Sequence, residues 1–449
     1  MPRATILGST CRHHPVKLFQ KLRDRFKGKD ASGILRGTIS LTMGAGFAKL
    51  IGIASIAVLA RIYSPDDYAV LAIYSALVNI IVPVMTLRYV IAVPLPKTDA
   101  AAANVMALSA LLVVAISMLG GAAMWLLGPG LLGALEMDAL TPWRGLVIVG
   151  AVAVAVYEGL TMWATRKHAF SIIARTQVVQ SLMGEGLKIA LGLAGLRPFG
   201  LMLGQLVSQS GGISSLALTQ RKEYRRLARF VSVTRMKRLA KRYWSFPAYR
   251  LPSQVLLIGS AQMPVLLSAT FYGKDATGQL ALAFTALAVP ATLMADSVGK
   301  AYFAGISKLG RRKSREIRAL TFSVIRTVLL LALAPTIALM FAGEWIFTHA
   351  FGSKWALAGH FASFLSILMI AQFVNRATVS YLMSVFDGQR EVLFLNIQRV
   401  LLTFGCFWIG DQVGATIDQA LLAYALLLSA HYTVGVWLAM RKLRPGANE

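Results

Sequence analysis

Charged side chains occur inside long apolar segments of this sequence, where an isolated charge is costly. Three of them are acidic: Glu158, Glu185 and Asp296. Ionisable groups in membrane-length apolar helices usually face a cavity or a charged partner. The basic ones are more numerous: Lys49, Arg88, Lys188, Arg250, Lys300, Arg326, Arg376 and Arg399. This excess of positive charge at depth indicates an anion-binding cavity that acts through charge-assisted hydrogen bonds.

Two acids are spaced to neutralise a base on the same helix. Glu185 and Lys188 are three residues apart, and Asp296 and Lys300 are four apart, the separations that bring helical side chains together. Glu158 has no such neighbour. Glu158 and Asp296 are both candidates for ion coupling, with a structural role left open for each. The alternative for bases near the inner surface is extension to the lipid headgroups, and it applies to Arg88, Arg250, Lys300 and Arg326.

The composition predicts that these residues are positioned by membrane-spanning helices. The 449 residues are 56% hydrophobic and only 14% charged, whereas soluble domains carry about 25% charged residues. Apolar stretches of about 20 residues, the length that crosses a bilayer as a helix, recur throughout. We therefore predict an all-α polytopic membrane protein with twelve spans, at 35–60, 69–94, 102–127, 145–164, 171–195, 199–219, 246–271, 278–303, 320–347, 358–385, 392–410 and 417–439.

The distribution of Lys and Arg tests this arrangement. Of 46 such residues, 33 fall on the side that holds the N-terminus, five on the opposite side and eight within spans. Cytoplasmic loops carry this excess in membrane proteins, so both termini are predicted to be cytoplasmic. The net charge of +27 is then a topology signal, and no nucleic-acid partner is required.

The stretch "SPDD" (Ser64–Asp67) separates the first two spans on the outer side. It could bind a metal or act in catalysis, but it has the features of a helix start: Ser64 as the cap, Pro65 at the first position and Asp67 three residues after the cap. A weakly similar segment lies 209 residues later, where Tyr272 aligns with Tyr63. This internal repeat suggests two six-helix halves in the same orientation, an arrangement that transporters use with a site between the halves.

These features predict five parts. They are a basic amphipathic cytoplasmic N-terminus (1–33), an N-terminal lobe of spans 1–6 (34–220), a basic cytoplasmic linker (221–245), a C-terminal lobe of spans 7–12 (246–440) and a cytoplasmic tail (441–449).

The segment from Gly37 to Leu77 resembles the opening of the bacterial polysaccharide repeat-unit flippases of the Wzx type, in the multidrug/oligosaccharidyl-lipid/polysaccharide exporter superfamily. Those proteins typically show Leu-X-Arg-X-aromatic-X-Pro-X-acid-aromatic-Gly. This sequence matches at Leu59, Arg61, Tyr63, Pro65, Asp67 and Tyr68, with Ala69 in place of the glycine.

The resemblance implies a V-shaped exporter of two lobes that works by alternating access in the bacterial inner membrane. The implied cargo is an undecaprenyl-pyrophosphate-linked oligosaccharide carried from the inner to the outer leaflet, with membrane lipids and a polysaccharide polymerase or co-polymerase as partners. In that family spans 1, 2, 7 and 8 line the central cleft. The substrate-binding residues expected first are therefore Lys49, Arg88, Arg250 and Lys300, followed by Arg376 and Arg399.

Other functions stay open. A drug/cation antiporter of the same superfamily would need acids in the cleft, and a peptidoglycan lipid precursor flippase often has two more C-terminal spans. A membrane enzyme of polysaccharide assembly is disfavoured because the outer loops are short and no catalytic set stands out. The sequence has no nucleotide-binding phosphate loop, and we expect no catalytic residue, metal or cofactor.

Overall fold

The computed structural model describes residues 29–309, 313–386 and 389–443, and all regular elements in these ranges are helical. The predicted amphipathic N-terminus lies outside them. The helices of residues 29–219, here called the N-terminal half, are α1 Lys29–Ile62, α2 Pro65–Met85, α3 Asp99–Leu126, α4 Gly128–Ala134, α5 Arg144–Arg166, α6 Phe170–Leu193, α7 Phe199–Ser210 and α8 Ile213–Thr219.

Two short basic helices, α9 Arg221–Ala228 and α10 Val233–Arg242, lead to the C-terminal half, residues 251–441. Its first helix, α11 Leu251–Leu309, is broken at Gly273, whose φ of 84° and ψ of 178° are not helical. Glycine tolerates this conformation because it has no Cβ. The remaining helices are α12 Ser314–Phe351, α13 Ala356–Val385, α14 Gln389–Gln412 and α15 Ile417–Arg441.

In the part of the chain that the structure describes, nine helices are long and apolar enough to cross a membrane. The all-α membrane architecture is thus confirmed, whereas the count of twelve stays a prediction. Helix α6 forms at the segment predicted at 171–195 but is not among the nine. The segment predicted at 199–219 is divided between α7 and α8. Helix α11 includes most of the segment predicted at 246–271, from Leu251 onward, and all of the one at 278–303.

The structure confirms that "SPDD" starts a helix. The Ser64 hydroxyl accepts a hydrogen bond from the Asp67 backbone N–H at 3.2 Å, and the Asp67 carboxylate accepts one from the Ser64 N–H at 2.9 Å. Pro65 is the first residue of α2. This reciprocal capping satisfies two backbone donors that a helix start otherwise leaves without partners.

The same turn lies where the two halves meet. Trp355 Nε1 donates to the Ala60 carbonyl at 2.7 Å, and Lys354 Nζ donates to the Tyr63 carbonyl at 2.7 Å and to the Arg61 carbonyl at 3.2 Å. The last carbonyls of a helix lack intrahelical partners, and α1 obtains these donors from the C-terminal half. This contact lies at the end of α1 predicted to face outward, and we call it the outer contact.

Backbone packing also brings the halves together at the outer contact. Gly278 of α11 lies so close to Pro65 that a Cβ at this position would be 2.5 Å from the Pro65 carbonyl carbon and 3.0 Å from its Cα. The buried Tyr68 ring meets Trp355 edge to face, with centroids 5.0 Å apart. One apolar core containing Leu59, Tyr68 and Trp355 therefore joins residues of both halves.

Candidate cargo-binding cavity

A cavity of about 670 Å³ lies between the two halves. Its walls come from α1, α2, α6 and α7 on one side and from α11, α13, α14 and α15 on the other. Sites for small molecules usually occupy about 300–1,000 Å³. Neutral polar side chains among the described lining residues are Ser55, Tyr68, Ser75, Ser181, Gln205, Ser208, Ser260, Gln262, Thr285, Gln372, Tyr424 and Tyr432.

The described lining residues include four bases and one acid: Lys49, Lys188, Arg376, Arg399 and Glu185. The formal charge of this set is +3, as one carboxylate opposes four cations. Lys49 and Arg376 have exposed side chains. The balance favours an anionic occupant.

The wall from the N-terminal half contains a closed polar network. Lys188 Nζ donates to Glu185 Oε1 at 2.8 Å and to Gln205 Oε1 at 2.9 Å. Ser55 Oγ donates to Glu185 Oε2 at 2.7 Å. The Glu185–Lys188 pair predicted from spacing is confirmed, and both residues are buried. Such pairs need further hydrogen bonds to offset the loss of hydration, which Ser55 and Gln205 supply.

The wall from the C-terminal half contains an oriented arginine. Arg399 Nε donates to the Ser260 hydroxyl at 2.8 Å, and Nη2 donates to the same hydroxyl and to the Leu257 carbonyl at 2.8 Å. Nη1 lies 3.3 Å from the Tyr432 hydroxyl. Three residues thus fix a planar guanidinium whose geometry matches phosphate and carboxylate.

The structure brings three of the predicted binding residues, Lys49, Arg376 and Arg399, to one cavity. Arg250 is exposed in a helical turn at Phe246–Arg250 and is not among the lining residues. Asp296 and Lys300 lie outside the residues whose side chains the structure describes, and their roles stay predictions.

Arg88 and Glu158 have no partner at helical spacing in the sequence, but they pair with each other in the structure. Arg88 Nη1 lies 3.0 Å from Glu158 Oε1, and the side chains are 12% and 21% exposed. Helix α2 ends at Met85, short of the predicted span end at residue 94, and Leu87 and Arg88 have positive φ angles of 44° and 59°. This turn directs Arg88 to α5, away from the lining of the cavity.

Sequence reasoning missed the neutral part of the site. Ser55, Gln205, Ser260 and Tyr432 position its charged groups, but neutral polar residues are common in membrane helices and gave no signal. The aromatic residue of the family motif has a clearer role. Tyr63 is fully buried, and its hydroxyl donates to the Lys188 carbonyl at 2.7 Å. The motif therefore connects the turn after α1 to the helix that carries the buried ion pair.

Solved structures of membrane transporters are similar in fold to this chain. The chain resembles the lipid II flippase MurJ in an inward closed conformation, with a TM-score of 0.68, 11% identity and coverage of 90% of this chain and 87% of that one. It also resembles an inward-facing multidrug resistance transporter of the MATE family in the MOP superfamily, with a TM-score of 0.59, 15% identity and coverage of 90% and 94%. At these identities the likeness shows the fold alone, which this chain shares with both transporters.

Sequence comparison gives the family. The teichuronic acid biosynthesis protein TuaB of Bacillus subtilis is 24% identical over 199 residues, which span 44% of this chain and 40% of that protein. A family model described as "Polysaccharide biosynthesis protein" matches residues 58–359, more than half of the chain. With the fold, this match confirms the resemblance to polysaccharide repeat-unit flippases, and the chain belongs to this polysaccharide biosynthesis family of multi-pass membrane proteins.

Proposed function

We propose that this protein is a flippase for an undecaprenyl-pyrophosphate-linked oligosaccharide, which it moves from the inner to the outer leaflet of a bacterial inner membrane. The observation that carries the proposal is the cavity between the halves, where four described bases oppose one acid. A cation antiporter would require the opposite balance of charge. The relative TuaB is named for the biosynthesis of teichuronic acid, a name that marks the product as an acid.

In this proposal the cavity holds the headgroup of the cargo. Lys49, Arg376 and Arg399 face a pyrophosphate or an acidic sugar, where hydrogen bonds between ions are stronger than those between neutral groups. Serine, glutamine and tyrosine side chains supply partners for sugar hydroxyls. A volume of about 670 Å³ suits a headgroup, and the polyprenyl tail would stay in lipid.

Alternating access would then depend on breaking and remaking the outer contact. With cytoplasmic termini, as the charge distribution predicts, an anionic headgroup travels outward from a negative interior. This movement is favourable by about 2.3 kcal/mol per charge for each 100 mV. Consumption of the flipped product by a polymerase would add to this driving force.

The test is reconstitution into vesicles that contain the pyrophosphate-linked oligosaccharide, with an assay for sugar exposed on the opposite leaflet. We expect Arg376→Ala combined with Arg399→Ala to reduce the initial flipping rate at least about tenfold, since loss of a charge-assisted contact costs about 1.5–3 kcal/mol. The matched control is Arg250→Ala with Arg326→Ala, two exposed arginines that are not among the lining residues.

The proposal fails if the protein exposes no sugar, or if the cavity and control variants flip equally well. Extrusion of organic cations without sugar exposure would assign the antiporter function. Selective transport of the peptidoglycan lipid precursor over other lipid-linked oligosaccharides would assign the other flippase function.

A further inference from the structure

The linker between the halves carries a dense positive surface. Residues 221–242, here called the basic platform, contain ten basic residues, all of them exposed: Arg221, Lys222, Arg225, Arg226, Arg229, Arg235, Lys237, Arg238, Lys241 and Arg242. The same stretch contains one acid, Glu223. The platform therefore has a formal charge of +9 in 22 residues.

Glu223 does little to neutralise this surface, because its carboxylate pairs with a lysine outside the platform. Glu223 forms an ion pair with Lys167, whose Nζ also lies 2.6 Å from Asp99 Oδ2. The nearest nitrogen of Arg226 is 3.9 Å from Glu223 Oε1. Burial lowers the pKa of Lys167, but its hydrogen bonds to Asp99 and Glu223 outweigh that effect and raise the pKa overall. Glu223 thus joins α9 to the N-terminal half while the platform stays cationic.

The platform is held in place by the N-terminal half. The Asn104 side chain donates to the Phe230 carbonyl at 3.0 Å and accepts from the Ser232 N–H at 2.9 Å. The Tyr89 hydroxyl donates to the Ala240 carbonyl at 3.1 Å. Leu227 is buried in a cluster with Trp163. These contacts occupy the apolar side of α9 and α10 and leave the basic side facing away from the helices.

Exposed apolar and aromatic side chains border the charges. Val233, Trp244 and Tyr249 are 62%, 64% and 76% exposed. Tryptophan and tyrosine concentrate at membrane–water interfaces, where an apolar ring with a polar tip meets the headgroups. The platform thus combines positive charge with interfacial anchors, and by the charge distribution it lies at the cytoplasmic end.

We propose that the basic platform binds the headgroups of anionic phospholipids in the inner leaflet. Clusters of four to eight basic residues next to membrane helices bind such lipids, and the platform contains ten basic residues. If the basic residues served only to set the orientation of the membrane helices, they would need neither a fixed arrangement nor bordering aromatic residues. Because the platform is attached to the N-terminal half, bound lipid anchors that half. An acidic protein segment could meet the same charges, but it would not require Trp244 and Tyr249 at the headgroup level.

The test uses the full chain in neutral detergent and titrates phosphatidylglycerol and phosphatidylcholine, with the apparent Tm as the readout. The platform variant is Arg235→Gln, Lys237→Gln, Arg238→Gln and Lys241→Gln. The matched control removes four exposed basic residues from other cytoplasmic segments: Lys97→Gln, Lys313→Gln, Arg315→Gln and Arg318→Gln. Neither variant changes a residue of the cavity, so the readout is independent of flipping.

We expect the wild type to bind phosphatidylglycerol more tightly than phosphatidylcholine. The platform variant should weaken phosphatidylglycerol binding at least about tenfold, and the control should change it less than about twofold. Equal weakening by both variants, or equal affinity for the two lipids, overturns the proposal. Binding of polyglutamate without a preference for phosphatidylglycerol also overturns it and assigns the surface to an acidic protein partner.

Discussion

Gly278→Ala tests whether the outer contact controls access to the cavity. The added Cβ would lie 2.5 Å from the Pro65 carbonyl carbon and 3.0 Å from the Pro65 Cα. Optimal separations between non-bonded carbons are about 3.5–4.0 Å, so the overlap is roughly 1 Å. The obstructing atoms are backbone atoms at the start of α2, which cannot rotate away as a flexible side chain could.

The expected magnitude follows from this overlap. Inserting an extra methyl group into a well-packed interface costs about 1–3 kcal/mol, and here the cost applies only while the outer ends are in contact. The ratio of closed to open molecules should fall about 5- to 150-fold, the range that this free energy implies. Under the proposed alternating-access cycle, flipping should slow as well, because the outer ends must close again.

The assay is pulsed electron spin resonance between labels on cysteines at Arg197 and Ser353, which are exposed in opposite halves near the outer contact. The native Cys11 and Cys406 would first be replaced by serine. We expect Gly278→Ala to shift the distance distribution to longer values. The matched control, Gly259→Ala in the same helix, adds a methyl group where no atom lies within 4 Å and should leave the distribution unchanged.

An unchanged distance distribution in Gly278→Ala, with a wild-type flipping rate and a normal apparent Tm, would refute this reasoning. A longer distance with an undiminished rate would show that the contact closes the outer end but does not limit transport.

Three further substitutions test individual contacts. Trp355→Phe removes the donor to the Ala60 carbonyl and should destabilise the closed outer end by about 1–3 kcal/mol, in the same spin-label assay. Gly184→Ala places a Cβ 2.6 Å from a backbone nitrogen of α7, whereas Gly186→Ala meets no atom within 4 Å; the first should lower the apparent Tm, and the second should keep it or raise it. Lys188→Met leaves Glu185 buried without its cation and should cost about 3–5 kcal/mol, so its apparent Tm should fall well below that of the double variant Lys188→Met, Glu185→Leu.

The sequence by itself determined those features that depend on local spacing and composition. Twenty-residue apolar runs specify membrane helices because a bilayer cannot satisfy an exposed backbone. Ser64 and Asp67 specify a helix start through reciprocal capping. Glu185 and Lys188 pair because a helix brings residues three apart together. The family motif at Leu59–Tyr68 was likewise readable along the chain.

Tertiary structure alone decided which distant residues meet. Arg88 and Glu158 are 70 positions apart. No local pattern pairs them, because the positive φ angles after α2, which direct Arg88 to α5, cannot be read from the sequence. Arg399 acquires its orientation from Ser260 and Tyr432, residues on two other helices. Arg250 and Arg376 carry the same charge, but only Arg376 is among the lining residues of the cavity. The packing of neighbouring helices decides this difference, because it fixes which way each side chain faces.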